Sequence, residues 1–93
     1  MILQMFACYD SKSEVFSRPF YVNTKGEALR SFTDEVDDPK SIMYKYPADF
    51  TLFHLGSYDD NKGIFQPLKT PLPLGLAVEF KRENAQPQLP ITN

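Results

Sequence analysis

Residues 23–39, Asn-Thr-Lys-Gly-Glu-Ala-Leu-Arg-Ser-Phe-Thr-Asp-Glu-Val-Asp-Asp-Pro, hold the start signal, apolar stripe and stop signal of one amphipathic helix. Thr24 with Glu27 three positions on matches a capping box, in which the threonine oxygen accepts a backbone N–H and the glutamate reaches back to the cap. Leu29, Phe32 and Val36 fall on one face with Ala28 beside them. Pro39 ends the run, because its ring and missing N–H cannot continue the hydrogen-bond ladder. A helix of about a dozen residues is marginal alone in water, so its stripe must be packed on something larger. The remaining sequence reads as strand and turn, so that larger object is a sheet.

Residues 2–9 form a strand apolar on both sides, the pattern of a central position, and Tyr9-Asp10-Ser11-Lys12-Ser13 breaks it. Residues 14–22 return as a second strand interrupted by Pro19, which belongs at an edge or bulge because proline gives no ladder hydrogen bond. After the helix, residues 40–46 predict a short helical turn ended by Pro47. Residues 50–58 are the second strong strand and should lie beside the first. Asp59-Asp60-Asn61-Lys62-Gly63 is a turn of residues that tolerate positive φ, and Ile64-Phe65-Gln66 starts a strand that Pro67 closes. A proline-rich connector at 67–73 follows. Leu76, Val78 and Phe80 then alternate with Ala77, Glu79 and Lys81, as in a last short strand.

Tyr9-Asp10-Ser11-Lys12 before Val15-Phe16 and Pro19 echoes Tyr58-Asp59-Asp60-Asn61-Lys62 before Ile64-Phe65 and Pro67. Two equivalent hairpins flanking one helix follow from it. The fold class is therefore α+β: a small, mainly antiparallel sheet, ββαββ with room for a fifth strand, and one helix on a face. The other face is left for a partner, a second subunit or the proline-rich segment. With 93 residues the chain is expected to be a single domain over 1–81 with a flexible tail at 82–93.

Single-residue chemistry points away from catalysis. His54 is the one histidine and Cys8 the one cysteine, so neither an internal disulfide nor a cysteine zinc cluster is available. The two would make a thiol–imidazole pair only on a shared face, and core packing accounts for both. The acidic spacing of 59–63 is wrong for a calcium loop, and the scattered glycines form no phosphate-cradling loop. No cofactor, metal or catalytic residue is expected. The apolar opening at 1–9 lacks a charged leader and is too short for a membrane span, so an intracellular, membrane-free protein is expected.

Two surfaces remain as binding candidates. Lys12, Arg18, Lys25, Arg30, Lys45 and Lys62 lie near tyrosines, Tyr9 and Tyr58 foremost, and rings for base stacking beside cations that track phosphates are how single strands are held without sequence reading. A net charge of −2 argues against binding by bulk positive charge. Asp34, Glu35, Asp37 and Asp38 crowd the helix C-terminus, where the macrodipole disfavours them unless Lys40 or a partner offsets the charge. They read as a solvated face or as a patch that docks a basic protein.

The order of short motifs carries a resemblance: Tyr9-Asp10, Pro19-Phe20, Gly26-Glu27-Ala28-Leu29-Arg30-Ser31-Phe32, Asp38-Pro39, Lys45, Pro47, Asp49-Phe50-Thr51-Leu52-Phe53, Leu55-Gly56 and Tyr58-Asp59. Over about residues 2–80 the chain resembles the small non-structural protein of gokushoviruses, tailless single-stranded-DNA phages of the Microviridae. The resemblance implies a counterpart of microvirus protein C, a non-enzymatic factor in the switch from duplex replication to single-stranded genome synthesis for packaging. It implies action in the cytoplasm of an infected bacterium, on single-stranded DNA, the replication initiator or capsid proteins, and transfers no active-site residues. Direct DNA binding is the first expectation, and a homo-oligomeric adaptor that docks initiator or capsid proteins is the alternative.

Overall fold

A computed structural model of the protein describes residues 1–82. Its centre is the antiparallel pair of β1 (Ile2–Asp10) and β4 (Phe50–Asp59), matched from Ile2 opposite Asp59 to Asp10 opposite Phe50. The two apolar segments are thus neighbours, as their sequence patterns require. On its other edge β1 pairs with two short strands, β2 (Val15–Phe16) and β3 (Phe20–Val22). Pro19 accounts for the split of the expected 14–22 strand, which lies on the sheet edge. Ser17 stitches the gap, its Oγ accepting from the Cys8 N–H at 2.9 Å and its N–H donating to the Cys8 carbonyl at 2.7 Å.

The opposite edge of the sheet corrects two expectations. The connector at 67–73 is instead part of β5 (Ile64–Leu76), which pairs with β4 along its length. Prolines are tolerated there because an edge strand directs alternate N–H positions to solvent. Pro67 lies opposite Gly56 and Leu72 opposite His54, so Leu68 to Pro71 bow out against Leu55 alone, a wide bulge. The segment expected as a last strand is a 3₁₀ turn, Ala77–Phe80. Its alternating apolar residues are used otherwise: Ala77 is buried, and the Phe80 ring meets Phe32 edge-on at 5.5 Å.

The helix, α1 (Lys25–Val36), forms where the capping box sets it, with Glu27 N–H donating to Thr24 Oγ1 at 3.2 Å and Asn23 N–H to Glu27 Oε1 at 2.9 Å. Its Ala28, Phe32 and Val36 join Phe6, Cys8, Phe50, Leu52 and Ala77 in one core cluster. A second short helix, α2 (Ile42–Lys45), is capped by Ser41 and gives way to a 3₁₀ turn at Pro47–Asp49. The molecule is sheet-dominated α+β.

The two hairpin turns are one design. Asp10 accepts at its carbonyl from Glu14 N–H at 2.8 Å, and Asp59 does the same for Gly63 at 2.7 Å. Asp10 Oδ1 takes the Lys12 N–H at 2.9 Å, and Asp59 Oδ1 takes the Asn61 N–H at 3.0 Å. Each turn closes through a left-handed residue, Glu14 at φ 61° and Gly63 at φ 69°. The Tyr-Asp echo in the sequence is an echo of geometry.

Candidate interaction surface

Side chains alternate across a strand, so the register sorts the sheet into two faces. Phe6, Cys8, Phe20, Phe50 and Leu52 point to the helix layer and belong to its core. Leu3, Met5, Ala7 and Tyr9 of β1 occupy the other face. Opposite them come Phe16 and Tyr21 on one side, and Thr51, Phe53, Gly56 and Tyr58 on the other. β5 extends this face with Phe65, Pro67, Pro73 and Leu76. Each of these register positions holds an uncharged residue.

Rings concentrate at its two ends. At one, Tyr9, Phe16 and Phe53 form a triangle with centroid separations of 4.9, 5.3 and 6.3 Å. At the other, Tyr58 contacts Phe65 at 4.6 Å and Tyr21 at 5.7 Å. Phe16, Tyr21 and Phe65 remain 44%, 38% and 56% exposed, so the face is an open apolar surface. Tyr9 and Tyr58, singled out from sequence, share this face at opposite ends. Sequence reasoning missed Phe16, Phe53 and Phe65, although the period of two within each strand, combined with pairing of the Tyr-Asp hairpins, contains the signal.

The cations do not gather on this face. Lys12 lines a cleft with Ile42, Tyr46, Asp49 and Phe50, and Lys62 lines one with Ile2, Ser57, Asp59 and Ile64, both on the helix-layer side. Because β1 and β4 are antiparallel, the two lysine-bearing turns sit at opposite ends of a nine-residue strand, ~30 Å apart. Arg18 is exposed at the break between β2 and β3, Lys25 opens α1, and Lys45 ends α2. Arg30 approaches the open face, in a cleft of about 420 Å³ between α1 and β3 that it shares with Leu3, Tyr21 and Asn23.

The acidic helix end is answered from within the chain. The last turn of α1 contains no basic residue. Arg82 supplies the charge, with Nη2 3.3 Å from Asp34 Oδ1 and Nε 3.2 Å from Asp37 Oδ2, and its N–H donates to Asp37 Oδ1. Asp38 Oδ1 accepts the Lys40 N–H at 3.0 Å, and Glu35 lines a cavity of about 350 Å³ with Cys8, Phe20, Phe32 and Met43. Asp34 and Asp37 therefore share Arg82, while Asp38 and Glu35 have local roles of their own. Residues 83–93, most of the expected tail, lie outside the described residues.

Cys8 and His54 share the helix-side face but not a contact role. His54 stacks on Phe6 at 4.8 Å, and its Nε2 reaches Gln4 Oε1 at 2.9 Å and the Gly56 carbonyl at 3.1 Å. The carbonyl can only accept, so Nε2 carries the hydrogen. Burial, with the Glu35 charge adding to it, pushes the Cys8 thiol up to about 11, so it stays protonated at neutral pH. Asp10 moves the other way, its carboxyl lowered chiefly by the Lys12 N–H and further by Ser13.

Among the described residues no group of three or more His, Cys, Asp or Glu side chains is placed to hold a metal ion, and no helix is long and apolar enough to cross a membrane. No solved structure matches the chain. Protein ORF5 of Chlamydia phage 1 is 34% identical over 67 residues, covering 68% of this chain and 70% of that protein. The family model described as Phage ORF5 protein matches residues 3–80, which span both hairpins, the helix and the open face, and the chain therefore belongs to the phage ORF5 protein family.

Proposed function

We propose that this phage protein is a non-enzymatic adaptor that acts by protein–protein contact during single-stranded genome synthesis and packaging, docking the viral initiator or capsid proteins. The observation that carries this reading is the open sheet face: uncharged at each register position, ringed at both ends, and separated from Lys12 and Lys62, the turn lysines. Interfaces are enriched in aromatic residues and keep charge off their core. The test is co-purification of the full chain with the phage initiator and capsid proteins after nuclease treatment. Nuclease-resistant capture of either, lost on Phe16→Lys, is the expected result. Capture of neither overturns the reading.

A second reading, direct contact with single-stranded DNA, is favoured by the ring series Tyr21, Tyr58 and Phe65, on which bases could stack. With Arg30 in the cleft beside Tyr21, its salt dependence would be about −0.7 in log–log slope per phosphate neutralised. Anisotropy titration of a fluorescent oligonucleotide over a salt series decides it, and no binding at low salt removes it.

A further inference from the structure

We infer that the partner covering the open face is a second copy of this chain, seated about a twofold axis that sets the Tyr9, Phe16 and Phe53 end against the partner's Tyr21, Tyr58 and Phe65 end. The inference rests on reading this face as a protein-docking surface: in the free protein the second copy occupies it, and initiator or capsid protein would compete with that copy for it. Three observations select a second copy.

The first is charge. Uncharged register positions across the whole face match an equally uncharged surface and offer a charged partner nothing to pair with. A copy of the chain meets that condition by construction.

The second is arrangement. The face has a ring cluster at each end of an antiparallel strand pair. Isologous contact brings residue i onto j and j onto i. Sheets packed with their strands nearly aligned, about 10 Å apart, then place ring cluster on ring cluster twice over. Six rings of roughly 150–250 Å² each, still partly exposed, leave on the order of 500 Å² of ring surface per copy before the aliphatic residues between them are counted. The total of roughly 1,000 Å² meets the lower bound of a specific interface and fits a reversible dimer.

The third is the state of the edges. β5 is interrupted by Pro67, Pro71, Pro73 and the bulge at Leu68 to Pro71, and the other edge by Pro19. Strand addition is thereby obstructed on both sides. A second copy must come face on.

Sedimentation equilibrium on the full chain tests this, with paired substitutions at the two ends. Wild type is expected to form a reversible dimer in the micromolar range. Phe16→Lys with Tyr21→Lys in one chain should weaken it at least ~100-fold, as loss of two aromatic anchors does. Phe16→Lys with Tyr21→Asp should recover dimer, because Phe16 and Tyr21 lie on the same edge of the sheet at its two ends and the twofold places each lysine against the partner's aspartate. If the ends met like to like, no lysine would face an aspartate and that same variant would stay monomeric, overturning the arrangement. A wild-type protein that is monomeric to millimolar concentration overturns the inference outright, while nuclease-resistant capture of initiator or capsid protein would still uphold the adaptor reading. Circular dichroism of each variant confirms that the mass reports association of folded chains.

Discussion

Glu14 is the residue whose local chemistry is most at odds with its place. It sits at φ 61°, where the matching turn of the second hairpin has Gly63. A left-handed conformation costs a residue with a Cβ about 1–2 kcal/mol, partly offset by the lower unfolded-state entropy of a non-glycine chain. Glu14→Gly is therefore expected to stabilise the protein by roughly 0.5–1 kcal/mol, read as a rise in the urea midpoint at unchanged slope. Cys8 gives a second residue-scale prediction, with a definite sign. Its pKa rises from 9.0 to about 11 on folding. Below pH 9 both states hold the proton; between 9 and 11 the unfolded chain loses it while the folded chain keeps it, so stability falls as pH rises. The loss is about 2–3 kcal/mol across that window, and the difference between wild type and Cys8→Ala in urea unfolding at pH 8 and pH 10.5 isolates it. The same burial predicts that a thiol reagent at pH 8 reacts slowly with folded protein and rapidly in urea.

At the scale of elements, the helix was the most legible part of the sequence because its cap, stripe and stop are all local. Thr24→Ala removes the hydroxyl that accepts from Glu27 and should lower unfolding free energy by about 1 kcal/mol, measured by thermal or urea denaturation. Thr24→Ser should restore most of it. β1, β4 and the two Tyr-Asp turns were legible for the same reason, their patterns being contained in a few residues. β5 was not. Proline content in 67–73 argues against a strand only if the position in the sheet is unknown, and edge position is a tertiary fact. The turn at Ala77–Phe80 was misread because alternation satisfies a strand, yet here Ala77 and Phe80 bury against the helix layer through a tighter local winding. For the site, Tyr9 and Tyr58 were picked out as tyrosines near lysines and turn out to share one face, whereas the position of the lysines depended on which way each turn leans, which residue spacing does not encode. Arg82 closing the acidic helix end is a pairing 45 and 48 residues long in sequence, beyond the reach of local reading.

For the whole molecule, the layout predicts how stability is distributed. β1 is bonded on both sides, to β2 and β3 on one edge and to β4 on the other. β5 hangs on one neighbour, and its residues from Ile64 to Pro73 are exposed. Hydrogen exchange should therefore be slowest at the β1 amides of Phe6 to Cys8, approaching the global unfolding limit, and fastest in the bulge at Leu68 to Thr70. Equal protection of the two strands would contradict this order.

The prolines on the flanking strands bear on how the protein behaves at high concentration. A two-sided β ribbon with bare margins grows without limit, each newcomer offering the next a fresh template. Here the prolines obstruct that template, so under the proposed face-to-face pairing association would terminate once the broad surface is capped, and crowding would raise the number of finished units and not their length.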